Sequence, residues 1–257
     1  MKNRVLLAAL LLTSTPLFAG NLLTNATFPT DLSGWDYVGA ATWNSSDALT
    51  QASSGSLVGT NNAASPFTYV TLLISTCLPV TGGAAFDGSL DSRIPAGQGV
   101  TATASIEIAW YGAGGCSGIH YLGSNILVAS SDADGVWHRS EASSAVHAPA
   151  LAAFATVRLT LSKTEAGGIA TAYFDNVVFK PQGTCGSLPD RLCLNNNRFQ
   201  VTSTWENYAG QSGVGLAQAM TAETGYFWFF SAANVEVVVK VINGCSLNSN
   251  YWIYAGG

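Results

Sequence analysis

From Val100 to Tyr111 the chain alternates with a period of two. Val100, Ala102, Ala104, Ile106, Ile108 and Trp110 fall on one face of an extended segment, and Thr101, Thr103, Ser105, Glu107, Ala109 and Tyr111 on the other. That pattern fits a strand with one face in a core and one face wet, and it excludes a helix. Ala155 to Ser162 repeats it, with Val157, Leu159 and Leu161 inward and Thr156, Arg158 and Thr160 outward. Phe67 to Ser75, Asn125 to Ala129 and Ala170 to Phe179 are further strand candidates, separated by Gly, Asn, Asp and Ser turns. With 27 glycines, 8 prolines and few Lys and Glu, the chain suits turns and strands better than long helices. At 48% hydrophobic and 10% charged it has ample material for a core. The expectation is an all-β fold, with a jelly-roll β-sandwich followed by a small second β domain.

Lys2 and Arg4, the apolar run Val5 to Leu12 and the small-residue end Leu17-Phe18-Ala19 read as a signal peptide over residues 1–19. No later stretch is apolar for the roughly 18 residues a membrane span requires, so no span is expected. Ten basic residues stand against fifteen acidic ones, a net charge of −5; without Lys2 and Arg4 the balance is −7. No basic cluster is present, and nucleic-acid affinity depends on Lys and Arg displacing counterions, so no nucleic-acid partner is expected. The expected localisation is secreted or extracellular, at the cell surface or in a periplasm.

In an oxidising compartment the five cysteines read first as disulfides. Cys77 and Cys116 each lie beside a strand-like segment, and a bond between them would contribute about 4 kcal/mol through the entropy of the closed loop. Cys185 and Cys193 bracket a short loop and form the next plausible pair, which leaves Cys245 over. Zinc is disfavoured: no CxxC pair exists, and His120, His138 and His147 stand at no metal-ligand spacing.

Around Lys180 to Gly186 the periodicity lapses, as it does at a domain boundary. We divide the chain into residues 20–181 and 185–257. In the second unit Arg198 to Trp205, Gly225 to Ser231, Val235 to Ile242 and Tyr251 to Ala255 are strand candidates, and Leu216 to Thr221 is expected to form one helical turn. Gly225 to Phe230 is so aromatic that it is expected to be buried or to lie in an interface. A unit of roughly 70 residues is near the lower limit for an independent core, which gives a disulfide or docking to the first unit added value.

The opening Asn21-Leu22-Leu23-Thr24-Asn25, followed by Phe28, Leu32, Gly34 and Trp35, resembles the start of galactose-binding-like jelly rolls such as carbohydrate-binding module families 4 and 9. The segment Ala172-Tyr173-Phe174-Asp175-Asn176-Val177 is similar to their last strand. The two lie about 150 residues apart and bracket the whole first unit. The resemblance implies a carbohydrate-binding face and a structural calcium ion held near the termini by the last-strand Asp, here Asp175. Against that ion, Thr27-Phe28-Pro29 stands where an acidic residue often flanks the Phe. The second unit is similar to a small domain of uncharacterised secreted bacterial proteins, through Leu192-Cys193-Leu194, Gly225 to Phe230 and Asn234-Val235-Glu236. Members of that group continue beyond the segment matching Asn248 to Ala255, which would leave an edge strand open and Cys245 without its partner.

Catalytic signatures are missing: the sequence holds no Gly-x-Ser-x-Gly elbow, P-loop, zinc-protease helix or dinucleotide fingerprint. Ser130, Asp132, Asp134, Gly135 and Glu141 fit the spacing of a calcium loop, but strands flank them and the plainer reading is a hairpin turn. Sugar binding needs flat aromatic surfaces and a few polar groups. Trp43, Tyr111, Tyr121 and Trp137 are candidate platforms, with Glu107 and Arg158 as hydrogen-bonding partners; Glu107, Tyr111 and Arg158 are assigned to the wet faces of their strands. The bland alternatives are aromatics partly buried in the sandwich and a solvated cross-strand ion pair. The expected function is non-catalytic binding of a polysaccharide or glycan with no required cofactor. The alternatives are an adhesion or matrix protein that self-associates through its C-terminal domain and, more remotely, a glycoside hydrolase acting through Glu107 and Asp175.

Overall fold

The computed structural model describes residues 20–51, 54–183, 185–186, 188–195, 197–248 and 250–257; the expected signal segment lies outside the described residues. The fold is all-β, a β-sandwich of jelly-roll type followed by smaller sheets. The sandwich comprises β1 (Trp35–Tyr37), β2 (Ala40–Asn44), β3 (Ser56–Asn61), β4 (Thr68–Ser75), β5 (Leu78–Pro79) and β6 (Ala85–Arg93), then β7 (Ala102–Tyr111), β8 (Tyr121–Ser130), β9 (His138–Glu141), β10 (Val146–His147), β11 (Phe154–Lys163) and β12 (Ala170–Pro181). One sheet has the order β1-β4-β11-β7-β8, with β5 also paired to β11. The other runs β10-β6-β12-β3-β2, with β9 also paired to β6. All these pairs are antiparallel.

The alternating segments form the middle of the first sheet. β7 and β11 pair without a break from Phe154 opposite Tyr111 to Lys163 opposite Ala102. Their apolar faces, with Ile106, Ile108, Trp110, Val157, Leu159 and Leu161, meet Leu57, Leu90, Phe174 and Phe179 from the second sheet in one continuous core. The N-terminal segment is laid along the last strand: Asn21 Nδ2 donates to the Val177 carbonyl (2.8 Å), and Asn21 Oδ1 accepts from the Phe179 N–H (3.0 Å). The two segments that carry the jelly-roll resemblance are therefore neighbours in space.

Within β12 a bulge between Asp175 and Val178 breaks the alternation, and Asn176 takes a left-handed conformation, φ 46°, that asparagine tolerates better than most residues. Its side chain turns to Asp91 Oδ2 (2.7 Å). Asp91 also receives Arg139 through two bonds (2.8 and 2.9 Å), and Arg139 reaches Asp190 (2.6 Å). Burial opposes the Arg139 charge, but the two carboxylates outweigh it and hold the guanidinium pKa above its ordinary value. Asp190 belongs to the segment after Pro181, and Gly186 of that segment packs on Val178 and Lys180. The later part of the chain thus covers part of the outward face of the second sheet, while Tyr69, Tyr121 and Ile126 on that of the first sheet are exposed.

The remaining strands are β13 (Arg191–Leu194) paired with β14 (Phe199–Thr202), β15 (Thr204–Glu206) paired with β16 (Ser212–Val214), and a four-stranded sheet of β17 (Leu216–Ala219), β18 (Thr224–Trp228), β19 (Val237–Gly244) and β20 (Asn250–Gly256) in sequence order. They enclose a second, small core of Leu192, Leu194, Phe227, Val239 and Val241. Cys77 is bonded to Cys116 and Cys185 to Cys193; Cys245 is free and exposed. Two expectations fail here. Leu216 to Ala219 is a strand rather than a helical turn, because its backbone pairs residue by residue with β18. Arg198 to Trp205 is two strands in different sheets, β14 and β15, rather than one. Of the aromatic run, Phe227 is fully buried, while Phe230 stays 66% exposed beside Trp205 (ring centroids 4.8 Å apart).

Arg139 is the compensating charge for two nearly buried carboxylates. Replacing it by alanine is expected to cost about 3–5 kcal/mol in denaturant unfolding at pH 7. Asp175 behaves oppositely. Burial, with the charges of Asp47 and Asp91, raises its pKa to about 8 against the pull of backbone N–H donors at Ala48 and Asn176. A folded pKa above the unfolded one means stability from this group that is full below about pH 4 and declines as pH rises to about 8, by about 1.4 kcal/mol per pH unit. In metal-free buffer Asp175→Asn should flatten the stability profile across that window; a profile parallel to the parent chain would contradict the assignment.

Candidate functional site

The outward face of the first sheet is built in cross-strand rows. Phe154, Tyr111 and Tyr121 form one row; Thr156, Ala109 and Ser124 the next; then Arg158, Glu107 and Ile126; then Thr160, Ser105 and Ala129. On the far side of β11, β4 adds Ile74 opposite Arg158, Thr71 opposite Thr160 and Tyr69 opposite Ser162. The middle strands carry mostly small or polar residues, and the flanking strands carry larger exposed ones, Tyr121, Ile126 and Tyr69. The face is therefore a trough with β7 and β11 as its floor.

This corrects the reading of a freely wet face. Glu107 is only 8% exposed and Tyr111 6%, because the neighbouring rows crowd a floor set below its walls. Arg158 is partly buried, with its Nη1 3.7 Å from Glu107 Oε2 and its Nη2 donating to the Tyr111 hydroxyl at 3.1 Å. Burial opposes the Arg158 charge, but Tyr111 and Glu107 prevail and its pKa is raised. Tyr111 in turn meets the edge of Tyr121, with ring centroids 5.9 Å apart. Three buried polar atoms on this floor have no hydrogen-bond partner: Glu107 Oε2, Arg158 Nε and Thr156 Oγ1. Such atoms are costly unless something outside the chain satisfies them. Glu107 and Arg158 are too far apart to bond each other, and a hydroxyl group held between them could donate to one and accept from the other.

The structure brings Glu107, Tyr111, Tyr121 and Arg158 together and sets the other two candidates elsewhere. Trp43 is on β2 of the second sheet, and its indole N–H is committed to the Phe28 carbonyl at 2.8 Å. Trp137 precedes β9, against Tyr173 of the same second sheet. Phe154, Tyr69 and Thr156 share the trough face without having been named as site residues. Phe154 has the same parity as Arg158 and was missed by starting that strand one residue late. Tyr69 was hidden by the register shift between Leu159 and Thr160.

The carboxylates named for calcium have partners within the protein. Both Asp175 oxygens accept backbone N–H groups, from Ala48 (3.0 Å) and Asn176 (2.7 Å), and the Asp47 Oδ1 accepts from Leu49 and Gln51. In the Ser130 to Glu141 stretch, Asp134 binds His138 (2.9 Å), and Glu141 points to Arg191 (3.6 Å). Among the described residues no group of three or more His, Cys, Asp or Glu side chains gathers as a metal site.

No family model matches the chain, and no curated protein does. Solved structures similar to it include the enzymatically active domain of bacteriophage CBA120 tailspike protein 4 (14% identity, 63% of this chain and 21% of that one, TM-score 0.44). A second comprises the CBM22-1 and GH10 modules of Clostridium thermocellum xylanase 10B complexed with xylohexaose (15% identity, 68% and 30%, TM-score 0.44). A third is the C-terminal family 22 carbohydrate-binding module of the same xylanase (14% identity, 64% and 95%, TM-score 0.45). The chain spans less than a third of the first two. Likenesses at this level assign no activity to it.

An unpartnered buried hydroxyl destabilises the fold that contains it. Thr156→Val, nearly isosteric, is therefore expected to leave thermal stability unchanged or raise it by about 1 kcal/mol. A loss of 2 kcal/mol or more would show that the hydroxyl is already satisfied.

Proposed function

We propose that this protein is a secreted, non-catalytic carbohydrate-binding protein that holds a glycan in the trough over β7 and β11. The observation that carries the reading is the set of three buried polar atoms without a hydrogen-bond partner, on Glu107, Arg158 and Thr156, which lie on the same sheet face as Tyr111 and Tyr121. Sugar hydroxyls would satisfy those atoms, and the apolar faces of the rings would rest on Tyr121 and Phe154. Kinship with carbohydrate-binding module families 4 and 9 is part of the proposal. It is supported by the contact of the Asn21 segment with Val177 and Phe179. The two disulfides favour an extracellular setting. Among the described residues no helix is long and apolar enough to cross a membrane.

Carboxylate spacing argues against hydrolysis. Glycosidases set two carboxylates roughly 5–10 Å apart. Asp36, on β1 opposite Ile74, stands three strands from Glu107, about 14 Å at the usual strand spacing. Asp175, the other residue considered for that role, is in the opposite sheet. In native gels containing soluble glycans, the chain is expected to be retarded by at least one neutral polysaccharide. Glu107→Gln and Tyr121→Ala should each weaken that binding about tenfold while keeping the fold. No retardation across a broad glycan panel would end the proposal.

A second reading, association between copies through the C-terminal sheet, is favoured by one observation. β20 is an edge strand with no charged residue and no proline, and the free thiol of Cys245 is exposed just before it. If this edge pairs with another copy, size-exclusion chromatography will show a species larger than a monomer that persists in reductant. If only Cys245 links copies, reductant will abolish it.

A further inference from the structure

Arg93 ends β6 on the outward side of the second sheet, directly opposite Tyr173 of β12. Its guanidinium carbon lies 4.0 Å from the Tyr173 ring centroid and 5.4 Å from that of Trp137. The two rings meet edge to face, 6.2 Å apart at 73°. Arg139, Arg158 and Arg191 all stand beside carboxylates. Among the described residues Arg93 has neither an ion pair nor a hydrogen bond, and its buried Nε is without an acceptor. The two rings hold a half-buried cation that has no acidic partner among the described residues. Arginine in this state matches a planar carboxylate, and the entropy of ordering it has already been lost on folding.

We propose that Arg93, Trp137 and Tyr173 form a second binding site, independent of the trough, that takes the carboxylate of a uronate sugar. Arg93 would receive the carboxylate, and the pyranose ring would lie against the partly exposed indole of Trp137. The charge distribution favours an isolated sugar carboxylate over an acidic peptide. The chain is net negative, and exposed Asp132 and Asp134 lie a few residues before Trp137, with Asp134 engaged by His138. A run of carboxylates would meet repulsion there, while a single one needs only a single cation.

The test is a titration of the full chain with methyl β-D-glucuronide, methyl β-D-glucoside and acetate at low ionic strength, followed through the Trp137 indole N–H resonance. The glucuronide is expected to bind about fivefold more tightly than either control, with shifts centred on Trp137 and Tyr173, and R93Q should abolish the preference. Equal affinity for glucuronide and glucoside would overturn the proposal, as would acetate binding as tightly as the glucuronide. Shifts centred on Tyr121 and Arg158, or a preference that survives R93Q, would overturn it too. If R93Q does not fold, R93K carries the test: it keeps the charge, loses the stacked plane, and must lose most of the preference.

Discussion

The unbroken pairing of β7 with β11 is the constraint on which the rest of the molecule is arranged. Because the register runs from Phe154 opposite Tyr111 to Lys163 opposite Ala102, each row sends one pair of side chains into the core and the next pair into the trough. The core pairs give the sandwich its cohesion. Their neighbours, Arg158 with Glu107 and Thr156 with Ala109, are placed by the same hydrogen bonds and need no further device to bring them together. A slip of one residue would invert both faces at once, so the geometry of the trough is as firmly specified as the core itself.

Burial on both sides of these strands follows from that arrangement. An open sheet face is normally solvated, but here the middle strands β7 and β11 carry mostly small or polar residues and bulkier ones stand on β4 and β8. The polar floor is consequently desolvated without being covered. In such a setting a partly satisfied ion pair is a poor contributor to stability, and Glu107 and Arg158 stand too far apart for a direct hydrogen bond.

Much of this was legible in the chain. The period-two alternation identified β7 and β11 and the inward faces of both, and the turn residues marked the all-β class. Strand parity alone put Glu107, Tyr111 and Arg158 on a common side. What parity could not reveal was elevation: alternation separates inside from outside, but whether the outside is a ridge or a hollow depends on the neighbours across the sheet, which are distant in sequence. Bulges hid more. The irregularities in β12 and between β4 and β11 reset the alternation, so Asn176 and Tyr69 had no pattern to follow. Trp43 and Trp137 were grouped with the trough because residue type says nothing about which sheet will hold a ring.

The network of Asn176, Asp91, Arg139 and Asp190 crosses the point at which the sequence loses its periodicity. The lapse near Pro181 marks a change of sheet, while the electrostatics continue through it. Cutting the chain there would leave the first part with Arg139 short of one carboxylate and Val178 uncovered. The two parts are thus not interchangeable cassettes: a fusion or transplant that takes the sandwich alone would inherit a surface made to be an interior.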